Sequence, residues 1–148
     1  MKPALLDVSV LFALIYARHQ RHDDAQAWFA ERGFAGWATC AYTQMSVMRL
    51  LASSFAEDLN LSLPVAAAFV RQVCLHPGHR YWLQDVVPSG TEVFAWDQMS
   101  ALNPGRNQFP DLYLLALAVR NNAVFVTLDR KIDPRGVKGA DPGHIVIF

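Results

Sequence analysis

Residues 112–119 read LYLLALAV, eight apolar side chains in succession. A helix that is oily all round must be covered on every side, by neighbouring elements or by a partner subunit. Pro110 and Asp111 open the segment. Beyond "RNN" follows AVFVTLD, a strand-like run that closes on Asp129. A buried helix followed at once by a buried strand belongs to a parallel sheet with helices packed against it.

The rest of the chain carries the same alternation. PALLD (3–7) reads as a short buried strand and VSVLFALIYARH (8–19) as an apolar helix. HDDAQAWFAERG (22–33) reads as a second helix: Asp23 and Asp24 suit its first turn, Ala25, Trp28 and Phe29 share a face, and Gly33 supplies a stop. GWATC (36–40) is a second strand, followed by a helix through TQMSVMRLLAS (43–53). Pro64 opens another helix, PVAAAFVRQVCL (64–75). YWLQDV (81–86) reads as a strand, TEVFAWDQMSAL (91–102) as a helix, NPGRNQF (103–109) as a loop and HIVIF (144–148) as a closing strand. The expected fold is α/β, three layers with a central parallel sheet of about five strands. The loops near 33–36, 54–63, 76–80 and 103–109 are too short for domain linkers, so a single domain is expected over 1–148.

Thirteen basic and thirteen acidic side chains cancel. Bulk charge therefore gives no support for a nucleic-acid or membrane partner, and any attraction must be local. Cys40 and Cys74 form no CxxC, nothing resembles a secretory signal, and no apolar stretch approaches the roughly 20 residues needed to span a bilayer. A cytoplasmic protein is expected. Nucleotide-binding enzymes are disfavoured, because neither GxGxxG nor GxxxxGK[ST] occurs.

Three acids stand out by position. A helix that precedes a parallel strand runs antiparallel to it; 111–120 rises roughly 15 Å and 123–128 roughly 20 Å. The chain descends through one and returns through the other, which brings Asp111 and Asp129 to the carboxyl edge of the sheet. Asp7 ends the first strand on that same edge, where open parallel sheets bind ligands. Crowded carboxylates repel, so one protonates or a cation joins them. All-oxygen ligation suits Mg²⁺ or Mn²⁺, which lowers the pKa of a bound water and clamps the charge of a phosphodiester under attack. Each acid also has an ordinary reading: Asp7 as an N-cap, Asp111 as a first-turn acid, Asp129 as a turn residue. The pairs His19/His22 and His76/His79 have HxxH spacing but lie in polar, turn-like stretches without a third ligand.

LLDVSVLFAL near the start, WATCAYTQMSVMRLL in the middle and FPDLYLLALAVRNNAVFVTLDRKI towards the end resemble PIN-domain proteins. More narrowly, the chain resembles the toxin half of VapBC-type toxin–antitoxin pairs. The resemblance covers essentially the whole chain and implies an Mg²⁺- or Mn²⁺-dependent endoribonuclease with a five-stranded parallel sheet. It further implies an RNA substrate, tRNA among the candidates, a 5′-phosphate product, a homodimer, and silencing by a small antitoxin. By this likeness Asp7, Asp111 and Asp129 are the metal-binding and catalytic acids, and Ser9 supports Asp7. Gln44 falls where many PIN domains carry a Glu and is carried over as a catalytic position; it contributes no charge, which puts a second metal ion in doubt. Arg49, one turn along, pairs with an acid, faces phosphate or simply solvates its helix. Pro110 stands where a hydroxyl residue often precedes the late-helix Asp.

Arg130, Lys131, Arg135 and Lys138 follow Asp129, and Arg18 and Arg21 lie beyond the first helix; such clusters track a phosphate backbone or merely solvate a surface. Trp28, Trp37, Trp82 and Trp96 are base-stacking platforms or core, with Trp28 and Trp37 read as core. Two rival readings remain. One is a catalytically impaired PIN-like domain that binds RNA or protein, argued from Gln44. The other is a phospho-receiver module, which lacks its acidic pair and its Lys at the last strand.

Overall fold

Alternation with a period of two divides the apolar residues of each short strand between two faces of one sheet. The computed structural model describes residues 1–148. In chain order they form β1 (Ala4–Leu6), α1 (Val8–Ile15), α2 (His22–Arg32), β2 (Trp37–Cys40), α3 (Ala41–Leu51) and α4 (Leu63–Val73). These are followed by β3 (His79–Trp82), α5 (Trp96–Leu102), α6 (Phe109–Arg120), β4 (Val124–Thr127) and β5 (Ile145–Ile147). The strands pair in the order β3-β2-β1-β4-β5, parallel throughout. Leu5, Ala38, Cys40 and Phe125 pack against α5 and α6. Ala4, Leu6, Trp37 and Val126 pack against side chains of α1 to α4. The result is the expected three-layer α/β/α arrangement.

Helix α6 is covered by its own chain. Leu112 to Ala118 are all buried, between Leu5 and Phe125 of the sheet and an outer layer containing Val86, Phe94, Met99 and Val137. The Tyr113 hydroxyl donates to the Val86 carbonyl at 2.9 Å, which fastens that layer down. The apolar run therefore requires no second subunit.

Local boundaries depart from the sequence expectation where backbone pairing competes with helix. The helix expected over 91–102 begins only at Trp96, because Phe94 bridges Val137 and the Ala95 N–H donates to Gly136 at 3.0 Å. Helix α1 stops at Ile15, where Tyr16 turns extended. Gly33 keeps a right-handed conformation and leads into a 3-10 turn; the sharp reversal falls to Gly36, at φ 107°.

One consequence of this order positions the site. From β1 the chain builds outward through β2 and β3, then crosses back to lay β4 on the other side of β1. Connections diverge between β1 and β4, leaving a crevice beyond their carboxyl ends.

Candidate active site at the carboxyl edge of the sheet

Asp7 lies in that crevice, and its N–H donates to the Val126 carbonyl at 2.9 Å. Its side chain is 5 % exposed. Oδ1 accepts from the Val8 N–H at 2.7 Å; Oδ2 accepts from Ser9 Oγ at 2.8 Å and from Thr127 Oγ1 at 2.7 Å. Burial raises the Asp7 pKa against the pull of these donors, and the nearby Asp129 charge adds to the rise. A carboxylate offers about four lone-pair directions. Three are taken, and one on Oδ1 is left.

The two hydroxyls that hold Asp7 also hold the loop after β4. Thr127 Oγ1 accepts the Asp129 N–H at 3.0 Å, and Ser9 Oγ accepts the Leu128 N–H at 3.2 Å. Asp129 Oδ1 accepts the Lys131 N–H at 2.8 Å, which closes an Asx-type turn. From the first turn of α6, Asp111 meets Asp129 side chain to side chain. Burial, then the charges of Asp7 and Asp129, then that hydrogen bond push Asp111 up to about 8. The positive helix end would favour an anion there; burial and like charge win. The three acids do adjoin. Their ordinary roles as cap, first-turn acid and turn residue hold at the same time.

Adjacency is not yet a closed ligand set. No three His, Cys, Asp or Glu side chains converge tightly on one point. Asp7 is pinned by its donors, while Asp111 and Asp129 lie close enough for each other's charge to be felt. The donor chemistry is all oxygen, and it suits a hard divalent cation.

Helix α3 brings different residues to the acids than the sequence suggests. Gln44 turns away: its amide donates to Thr39 Oγ1 at 2.9 Å and to Cys74 Sγ at 3.7 Å. Tyr42 faces the site, with its phenol pKa raised by burial and by the charges of Asp111 and Asp7, and lowered by a hydrogen bond with Ser46 and by Arg49. Positions 42, 46 and 49 recur at helical spacing from Arg49, the signal by which Tyr42 and Ser46 could have been found.

The basic residues after Asp129 divide. Arg135 is held by the Asp133 carboxylate, with Nη2 to Oδ2 at 2.7 Å. Arg130 and Lys131 are exposed and form no ion pair. Arg18 reaches Asp58 at 3.7 Å, and Arg21 reaches Asp24 at 2.6 Å. The histidines serve the scaffold: His22 meets the Ala13 carbonyl, His76 accepts from Trp37 Nε1, and His79 pairs with Thr39. Trp37 is core, as read; Trp28 stacks on Phe148 and Trp96 on Phe109.

Comparison with known proteins identifies the family. The family profile described as PIN domain matches residues 4–136. The chain belongs to the PIN-domain family. Within it, Ribonuclease VapC44 of Mycobacterium tuberculosis (strain ATCC 25618 / H37Rv) is 34 % identical over 142 residues, 96 % of each chain. Ribonuclease VapC39 of the same strain is 33 % identical over 127 residues, 85 % of this chain and 88 % of the relative. The crystal structure of Mycobacterium tuberculosis VapC20, described as a Sarcin-Ricin loop cleaving toxin, superposes with a TM-score of 0.59 at 20 % identity. It covers 81 % of this chain and 84 % of that one. At that identity the likeness speaks for the PIN fold alone.

Proposed function

We propose that this PIN domain, acting as a single domain, is a metal-dependent endoribonuclease and the toxin half of a VapBC-type pair. Asp7, Asp111 and Asp129 hold Mg²⁺ or Mn²⁺, and the phosphodiester bond of an RNA strand is hydrolysed at that edge. The observation that carries the reading is the meeting of Asp7, Asp111 and Asp129 at one sheet edge, with Thr127 tying Asp7 to Asp129 and with burial and like charge raising the Asp111 pKa. Carboxylates crowded in this way favour a divalent cation between them.

When bound, the ion supplies an acidified water and neutralises charge on the phosphate under attack. The chain's own residues prepare its seat. Ser9 and Thr127 orient Asp7 so that one direction on Oδ1 stays open, and Asp111 would hold the ion as a carboxylate, its proton passing to solvent. No histidine stands ready as a base, consistent with chemistry that needs none.

The reading of a catalytically impaired domain rested on Gln44. That side chain is engaged with Thr39 and Cys74, so its neutrality subtracts nothing from the three-carboxylate set. The family relatives carry ribonuclease names, which supports an RNA substrate and a VapB-type antitoxin as partner. No helix is long and apolar enough to cross a membrane, in keeping with a cytoplasmic site of action. Exposed Val65 and Phe69 on α4, with Tyr81 and Leu83 at the β3 edge, offer apolar surface to an antitoxin or a second copy.

The test is RNA cleavage by the purified protein with Mg²⁺, Mn²⁺ or chelator, beside Asp7→Asn and Asp111→Asn. Cleavage that needs the ion and both carboxylates supports the proposal. Undiminished cleavage in chelator defeats it.

A further inference from the structure

Beside the carboxylate edge, an open groove of about 600 Å³ runs along α3. Tyr42, Ser46, Arg49, Phe55 and Leu63 line it. Tyr42 is well anchored. Its N–H donates to Gln84 Oε1 at 2.5 Å, and its ring packs against the buried cluster around α6. Arg49 sits in the last turn of α3, exposed, and forms no ion pair with any acid. Arg18, Arg21, Arg120 and Arg135 each have such a partner. Phe55, also lining the groove, is 72 % exposed.

An anchored aromatic ring, an unpaired guanidinium and a second exposed ring in one channel are the components that bind single strands. Bases stack on the rings and the cation follows the backbone. Tyr42, in the first turn of α3, follows the carboxyl end of β2, and β2 is the neighbour of β1, whose end carries Asp7. A strand lying in it would pass the sheet edge that carries the acids. No acidic side chain lines it that would repel phosphate.

We propose that the α3 groove is the seat for single-stranded RNA flanking the scissile phosphate, with Tyr42 stacking a base and Arg49 contacting a phosphate. This rests on the ribonuclease reading, and it adds a seat for the strand and two substrate-positioning residues. Neither residue is part of the carboxylate set. Their loss acts on strand binding, raising KM more than it lowers kcat.

The test measures anisotropy of a fluorescein-labelled, mixed-sequence single-stranded RNA with the full chain in chelator, so that the strand stays intact. Tyr42→Ala and Arg49→Gln each weaken binding about tenfold, while Tyr42→Phe, which keeps the ring, binds as wild type. Arg49→Gln also lowers the slope of log affinity against log salt by about 0.7, one single-strand phosphate contact. Tyr81→Ala, on the β3 edge, changes nothing. Because Arg49 is exposed, its variant reports binding even where Tyr42→Ala disturbs folding. Equal binding by wild type, Tyr42→Ala and Arg49→Gln overturns the proposal. So does unchanged RNA binding with an altered oligomeric state, which would assign the groove to a protein. Cleavage assayed separately with Mn²⁺ keeps the two readings apart: a chain that binds through the groove but never cuts refutes the nuclease assignment alone.

Discussion

Thr127 donates its hydroxyl proton to Asp7 Oδ2 at 2.7 Å, across 120 residues of sequence, and accepts the Asp129 N–H at 3.0 Å. One fully buried hydroxyl thereby fixes two of the three acids relative to each other. Thr127→Val keeps the shape and removes both bonds, leaving a buried N–H and a buried carboxylate short of partners. The expected loss is about 1–3 kcal/mol of stability by denaturant unfolding, together with weaker divalent-ion binding. Thr127→Ser restores most of both. A Val variant as stable as wild type would show that the hydroxyl does not organise the site.

The layers of the fold were legible because strands alternate with helices and Asp7, Asp111 and Asp129 each mark an element boundary. Their meeting followed from parallel topology alone. Thr127 was not legible as a site residue, since a Thr in an apolar strand reads as β-branched filler until the partner strand is placed. Gln44 was misplaced for a related reason: family position does not reveal which way a side chain turns, and Thr39 and Cys74 supplied better partners for its amide. The helix expected from Thr91 lost its first turn to a backbone bridge between Phe94 and Val137, residues far apart in sequence.

Ion-free stability depends on pH through Asp111. Its pKa rises from 3.8 to about 8 on folding, so between those values the folded state binds more protons than the unfolded state. The contribution is complete below about pH 4 and is lost as pH climbs through 8. Asp7 shifts in the same direction. Thermal melts in chelator should therefore fall in Tm from pH 5 to pH 8, and Asp111→Asn should flatten that slope. A Tm that rises over this range in chelator contradicts the assignment.

Replacing Gln44 by Glu is expected to cost about 1–2 kcal/mol of stability without raising activity. The amide's two donated bonds are lost, and a charge is placed beside Thr39 and Cys74, away from the ion. Melting and Mn²⁺-dependent RNA cleavage measured together check this. Increased cleavage would mean that position 44 feeds the metal centre after all.

Helix α6 carries Asp111, and its buried stripe holds that carboxylate in place. Leu115, fully buried at the sheet, is central to it. Leu115→Ala should cost about 2–5 kcal/mol in urea unfolding. A loss below 1 kcal/mol would show that α6 is not held by its core contacts.

The most direct measurement is calorimetric titration of Mn²⁺ into the apo-protein at pH 7, repeated in buffers of different ionisation enthalpy. The account predicts saturable binding that releases close to one proton per ion, the proton leaving Asp111, and that collapses in Asp7→Asn and Asp111→Asn. Binding without proton release, or binding that survives both substitutions, would contradict a metal centre built from these acids.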